Sequence, residues 1–142
     1  VKIIYHPDFV TPTNPLFGMD YPQFVRGCHL GIFPSYYEPW GYTPLECVAR
    51  GVPAVTSDLS GFGDYCFKRF RNLEDNGIYI VKRRNKTFDE SADQLAETMY
   101  SFLQLNRRDR IILRNTVESY AENFSWESLV DEYEKAYREV LS

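Results

Sequence analysis

The chain has 142 residues, 44% of them hydrophobic and 16% aromatic, with a formal net charge of −4. That length suits one domain with one substantial core, and the acidic balance weighs against a dedicated nucleic-acid binder, which needs a basic face to neutralise phosphates. No run approaches the roughly 20 apolar residues of a membrane span, no signal peptide opens the chain, and Cys28, Cys47 and Cys66 have neither metal-ligand spacing nor an even number for disulfides, as expected of a protein kept in a reducing cytosol.

In chain order, Val1–Tyr5 alternates like a strand, and its abrupt opening, without initiator methionine or leader, predicts a chain cut from a longer polypeptide. Asp20–Gly27 reads as a short helix capped by Asp20, with Pro22 in its first turn. His29–Pro34 is a second strand, Thr43–Arg50 a helix ended by Gly51, and Val52–Thr56 a third strand. Gly63–Leu73 reads as a helix and Gly77–Val81 as a fourth strand. This alternation predicts βαβ units, hence an α/β fold with a mostly parallel sheet over residues 1–86. From Thr87 the apolar period becomes 3.6, predicting a helical part over residues 87–142. Phe88, Ala92, Leu95, Ala96, Met99, Phe102 and Leu103 form one stripe. Ile111, Ile112, Val117 and Tyr120 are spaced for a second helix. Trp126, Leu129, Val130, Tyr133, Tyr137, Val140 and Leu141 line a third, capped by Ser125.

The densest chemistry lies in Phe33–Glu46. The segment follows a strand and opens a helix, so it falls at the carboxyl edge of a parallel sheet, where open α/β sheets bind ligands. Thr43, Pro44 and Glu46 fit the N-cap, N1 and N3 positions of a T-x-x-E capping box, which would aim free N–H groups at an anion. Gly41 leaves room for close approach of a ligand. Glu38 and Glu46 form an E-x7-E pair. Capping alone would explain Glu46. Glu38, between two tyrosines and Pro39-Trp40-Gly41, fits a carboxylate that accepts hydrogen bonds from sugar hydroxyls and offsets charge at an oxocarbenium-like centre.

Further along, Arg107, Arg110 and Arg114 share a helix face, beside Arg108. Spacing alone allows a solvated basic face, but guanidinium forks also suit bidentate phosphate binding. His29, on an apolar strand, reads by itself as a satisfied core histidine. Eleven tyrosines and ten phenylalanines serve either as core filling or as stacking surfaces.

The string Tyr37-Glu38-Pro39-Trp40-Gly41-Tyr42-Thr43-Pro44, with Arg26-Gly27-Cys28-His29 before it and Gly51-Val52-Pro53 and Ser60-Gly61-Phe62-Gly63 after it, resembles the carboxyl-terminal domain of the eukaryotic-type glycogen synthases, retaining transferases of glycosyltransferase family 3. The resemblance covers most of the chain and is strongest over residues 14–63. It implies the Rossmann-like half of a two-domain GT-B enzyme that moves glucose from UDP-glucose to the 4-hydroxyl of a growing α-1,4-glucan, without metal or other cofactor. It implies Tyr21 for the uracil, Glu38, Trp40 and Gly41 for the donor glucose, Tyr42 and Thr43 at the diphosphate, and Glu46 as the second acid. His29, Arg107, Arg110 and Arg114 are then expected to bind the activator glucose 6-phosphate. Thr116 and Ser119 stand where the family pattern has two more arginines, linked there to inhibition by phosphorylation. The resemblance further implies a glycogen acceptor, glycogenin as a partner, a homo-oligomeric full-length protein and a cytoplasmic location, with an isolated fragment that does not turn over donor. The alternatives are a starch, sucrose or trehalose-phosphate synthase, and a non-catalytic sugar-phosphate-binding module.

Overall fold

The computed structural model describes residues 1–141; Ser142, the last residue of the expected helical part, lies outside them. The fold is α/β: a parallel three-stranded sheet with helices on it. Strand β1 is Gly31–Ile32, β2 is Ala54–Ser57 and β3 is Ile78–Val81, paired in that order with Gly31 opposite Ala54 and Ala54 opposite Ile78. Helix α1 is Tyr21–Gly27, α2 is Tyr42–Val48 and α3 is Gly61–Arg69; α2 joins β1 to β2, and α3 with a 3-10 turn at Glu74–Asn76 joins β2 to β3. Because the strands are parallel, the loops after β1, β2 and β3 all emerge at one edge.

Helix α1 starts where expected, on a capping box between Asp20 and Gln23. β2 carries no exposed residue, since both faces of a parallel sheet are covered. Val48, Val52, Phe62, Ile78 and Val117 are fully buried in one core, and burying each such side chain contributes about 1.5–3 kcal/mol. Some of the aromatics fill this core: Phe124 meets Phe62, Phe70 and Tyr120 edge-on, with ring centroids 5.0–6.1 Å apart, while others, among them Tyr36, Tyr37, Tyr42 and Trp126, are exposed. Cys47 and Cys66 are buried free thiols, which burial pushes up to about 11 and about 12.

The strand expected at Val1–Tyr5 does not form; these residues are exposed and make no ladder. Alternation makes a strand only where a neighbouring strand accepts its hydrogen bonds, and β1 pairs with β2 alone among the described residues.

Beyond β3 come α4 (Phe88–Gln104), α5 (Arg107–Tyr120) and α6 (Trp126–Leu141). Thr87 and Glu90 form a capping box on α4, and Asn106 caps α5. The hydrogen bond from Lys86 and those from the Thr87 backbone and hydroxyl hold the Glu90 carboxyl down at about 2. Only part of the predicted stripe of α4 packs, with Leu95 half-buried. Phe88 is 68% and Leu103 61% exposed, while Ser91 and Phe102 are buried. Hydrogen bonding at the end of β3 faces the first turns toward the strand: Gln94 accepts from the Lys82 N–H and donates to its carbonyl, and Ser91 donates to that carbonyl too. On α5 the buried pair is Leu113 and Val117, with Ile111 and Ile112 exposed. Ser125 caps α6 as expected, its hydroxyl accepting from the Ser128 N–H at 3.3 Å, but α6 buries no residue completely.

Candidate functional site

The loop after β1 carries Glu38 across the sheet edge to the start of α3. Residues 38 and 60 form a parallel bridge, with the Gly61 N–H donating to the Glu38 carbonyl at 3.0 Å and the Phe62 N–H to the Trp40 carbonyl at 2.6 Å. This close pass needs glycine twice. A Cβ on Gly61 would land on the Pro39 carbonyl, and one on Gly63 on the Ser57 carbonyl. Ser60 caps α3, accepting from the Gly63 N–H at 3.0 Å, and its hydroxyl donates to the Ser57 carbonyl. The Glu38 side chain is half-buried, and one carboxylate oxygen accepts from the Ser35 hydroxyl at 3.3 Å.

The capping box expected at Thr43 does not exist. Gly41 is the N-cap, with φ 118°, so Tyr42, Thr43 and Pro44 occupy the first three positions and Glu46 the fifth. Gly41 turns the chain through the left-handed region, closed to most side chains, and starts the helix earlier than a Thr43 cap would. Pro44, lacking an N–H, sits where none is needed. The space beside Gly41 belongs to the protein's own atoms: a Cβ there would lie 3.3 Å from Phe62 and Pro44 and 3.8 Å from the Glu38 carboxyl carbon.

Glu46, released from capping, lies half-buried on the same side as Tyr21. Burial, then the Cys47 thiol and the Glu46 carboxylate, push the Tyr21 hydroxyl above its usual range. Glu38, Trp40 and Gly41 thus share the loop after β1, Glu46 and Tyr21 neighbour one another across α1 and α2, and Tyr42 and Thr43 are exposed at the start of α2. Trp40 is less open than an aromatic wall would be, packing on Phe62 and Tyr65 at centroid distances of 6.0 and 5.7 Å. Its remaining surface faces a groove of about 410 Å³ shared with Tyr42, Tyr65, Phe124, Trp126 and Tyr133.

The arginines have structural partners that their spacing did not reveal. Arg110 donates to the Leu103 and Leu105 carbonyls at the end of α4, at 3.1 and 2.9 Å. Arg114 donates to the Arg26 and Cys28 carbonyls at the end of α1, at 2.9 and 2.8 Å. Each guanidinium thus meets the electronegative end of a helix, and each has N–H groups beyond the two it uses. Exposed His29 directly follows Cys28, whose carbonyl Arg114 holds, and Arg107 is exposed at the first turn of α5. Thr116 donates to the Ile112 carbonyl, and with Ser119 it lines an uncharged groove with Asn76, Asn115 and Asn123.

Sequence reasoning missed Ser35, Ser57, Asp58 and Arg83, which fasten the Glu38 loop to the other strand ends. Ser57, at the end of β2, donates to the Ser35 carbonyl at 2.5 Å. Arg83, just beyond β3, donates to the Pro34 carbonyl and stacks on the Tyr36 ring, while Asp58 accepts from the Arg83 N–H at 2.7 Å. The available signal was position: all but Ser35 end a parallel strand or lie within two residues of its end.

A family model described as glycogen synthase matches residues 1–142. The chain is 50% identical over 129 residues to "Glycogen [starch] synthase" of Caenorhabditis elegans, covering 91% of this chain and 19% of that protein. It is 52% identical over 136 residues to "Glycogen [starch] synthase" of Dictyostelium discoideum, covering 96% of this chain and 16% of that one. Against "Glycogen [starch] synthase, liver" of Homo sapiens it is 49% identical over 142 residues, which is all of this chain and 20% of the relative. The chain therefore spans a fifth or less of the length of these relatives.

Proposed function

The chain belongs to the glycogen synthase family, and from that premise we propose that it is the donor-binding half of a retaining, GT-B-type glucosyltransferase whose intact form transfers glucose from UDP-glucose to the 4-hydroxyl of an α-1,4-glucan. The observation that carries this reading is Glu38 at the carboxyl edge of the parallel sheet, its backbone carbonyl held by the Gly61 N–H and its carboxylate by the Ser35 hydroxyl, beside the left-handed turn at Gly41. In this reading Tyr21 stacks on the uracil. Glu38, Trp40 and Gly41 hold the glucose, and the backbone at Tyr42 and Thr43 meets the diphosphate. The bond from the anomeric carbon to the phosphate oxygen breaks, and the acceptor oxygen bonds on the same face. Its proton passes to the departing phosphate, and no metal or other cofactor takes part. Glu38 and Glu46 offset the positive charge that develops on the sugar.

The experiment is incubation of the intact parent protein with UDP-glucose and glycogen, with the anomeric configuration of the product read by NMR. Retention, undiminished by a chelator, is expected. Transfer with inversion, or none from UDP-glucose, would sink the reading. No described helix is long and apolar enough to cross a membrane. With the family, we infer a cytoplasmic, homo-oligomeric enzyme that accepts glycogen and works with glycogenin.

Two expected results follow for individual residues. Glu46→Gln keeps the shape of the side chain and removes its charge. Since Glu46 caps nothing, the melting temperature should stay within about 2 °C, as for a surface change within ±0.5 kcal/mol, while turnover falls at least roughly tenfold. Unchanged turnover would remove its charge from the chemistry.

The second concerns glucose 6-phosphate, which we propose as an activator bound by Arg110, Arg114, Arg107 and His29. Alanine at Arg110 and Arg114 would also strip carbonyls at two helix ends, so Arg110→Gln with Arg114→Gln is the cleaner variant, keeping N–H donors there. Loss of one charge-assisted partner typically weakens binding roughly 10- to 150-fold. The double variant should therefore keep basal turnover and lose activation over the wild-type titration range. Equal activation of both proteins would reduce the two arginines to their helix-end contacts. With Thr116 and Ser119 in place of further arginines, a phosphomimetic tail is expected to inhibit weakly.

A further inference from the structure

We propose that Arg83 is a positioning residue for the transfer reaction, holding the Glu38 loop in its working conformation from the far side of the sheet; the inference rests on the donor-site reading above. Arg83 lies two residues beyond Val81, the end of β3, whereas the Glu38 loop leaves β1, and β2 runs between them. The guanidinium bridges that gap. Nη1 donates to the Pro34 carbonyl, and the guanidinium carbon lies 3.5 Å from the centroid of the Tyr36 ring. One side chain thus grips both residues flanking Ser35, and Ser35 donates to the Glu38 carboxylate at 3.3 Å. Ser57 adds a second fastening by donating to the Ser35 carbonyl.

The geometry differs from that of an arginine serving stability alone. Its Nε is buried and has no hydrogen-bond partner among the described residues. A buried N–H left without an acceptor costs stability, and an aliphatic side chain in its place would avoid the cost. What such a side chain lacks is the planar cation that stacks on Tyr36 while donating to Pro34. The base of the side chain is fixed as well, because Asp58 accepts from the backbone N–H groups of Arg83 and Arg84 at 2.7 and 3.2 Å. The anchor is therefore rigid on its own strand and reaches across β2 to orient a carboxylate it does not touch. A carboxylate that stabilises developing charge must be held in place, and a shift of about 1 Å can cost up to 10²-fold in rate.

The test compares wild type, Arg83→Gln and Arg83→Lys in the intact parent protein. For Arg83→Gln the expected result is a fall in kcat of about 10- to 100-fold with KM for UDP-glucose changed less than about threefold, because the lost function lies in the transition state. Hydrogen exchange at the amides of residues 35–42 should rise while α4 and α5 keep their protection. Arg83→Lys retains a donor for Pro34 but not the flat stack, and should recover part of kcat. Unchanged loop exchange in Arg83→Gln overturns the proposal, as does full turnover despite a loosened loop. Equal losses in kcat and in the protection of every element would make Arg83 a plain stability residue and overturn it too. Wild type inert toward UDP-glucose would instead strike the donor-site reading, and the exchange comparison would still decide whether Arg83 holds the loop.

Discussion

Glu38→Ala in the intact parent protein is expected to lower glucose transfer by on the order of 10²-fold or more, the usual cost of removing a preorganised electrostatic contact at a reacting centre. The fold should survive the change. The backbone of residue 38 is held by its carbonyl, which accepts from the Gly61 N–H at 3.0 Å, and that bond is independent of the side chain. The carboxylate itself accepts from the Ser35 hydroxyl. Glu38→Gln separates charge from shape, since an amide still accepts from Ser35 but cannot offset positive charge on the sugar. Both variants should therefore melt close to wild type and both should fail in turnover. A Gln variant that turns over normally would mean that Glu38 only holds the loop.

Gly63→Ala is expected to give a large loss of stability from a single methyl group. The added Cβ would meet the Ser57 carbonyl inside van der Waals contact and the Ser60 hydroxyl at 2.9 Å. Neither is the yielding end of a flexible side chain. Ser57 ends β2, its hydroxyl fastens the Ser35 carbonyl, and Ser60 caps α3 through the Gly63 N–H itself. Relief requires the β2–α3 connection to move, which would carry the bridge to Glu38 with it. Overpacking of this kind costs roughly 3 kcal/mol or more, so turnover and stability should fall together. Gly27→Ala is the internal control: no atom lies within 4 Å of its added Cβ, and its φ is not in the left-handed region. That variant should melt at or slightly above the wild-type temperature, because alanine is the better helix former. A Gly63→Ala protein as stable as the Gly27→Ala control would show that α3 can start further from the Glu38 loop.

What the sequence determined by itself is local and short-ranged. The helix starts at Asp20, Thr87, Asn106 and Ser125 are side-chain-to-backbone bonds spanning three residues. The alternation of apolar runs with helical patterns was sufficient for a parallel α/β architecture, and the Glu38 loop was legible because its position after a strand already implies the sheet edge. Tertiary structure decided wherever two local readings competed. T-x-x-E at Thr43–Glu46 has the pattern of a capping box, but the left-handed turn at Gly41 began the helix earlier, where Phe62 and Pro44 leave little room for a side chain. Val1–Tyr5 alternates like a strand without a ladder to join. On α4, Ser91 and Gln94 bond the Lys82 carbonyl just beyond β3, and of the apolar stripe Phe102 is buried while Phe88 and Leu103 are exposed. The partners of Arg110, Arg114 and Arg83 are likewise invisible in one dimension. Arg114 is 86 residues from Cys28 and Arg83 is 49 from Pro34. A carbonyl that accepts a guanidinium leaves no mark in the sequence, because every residue has one.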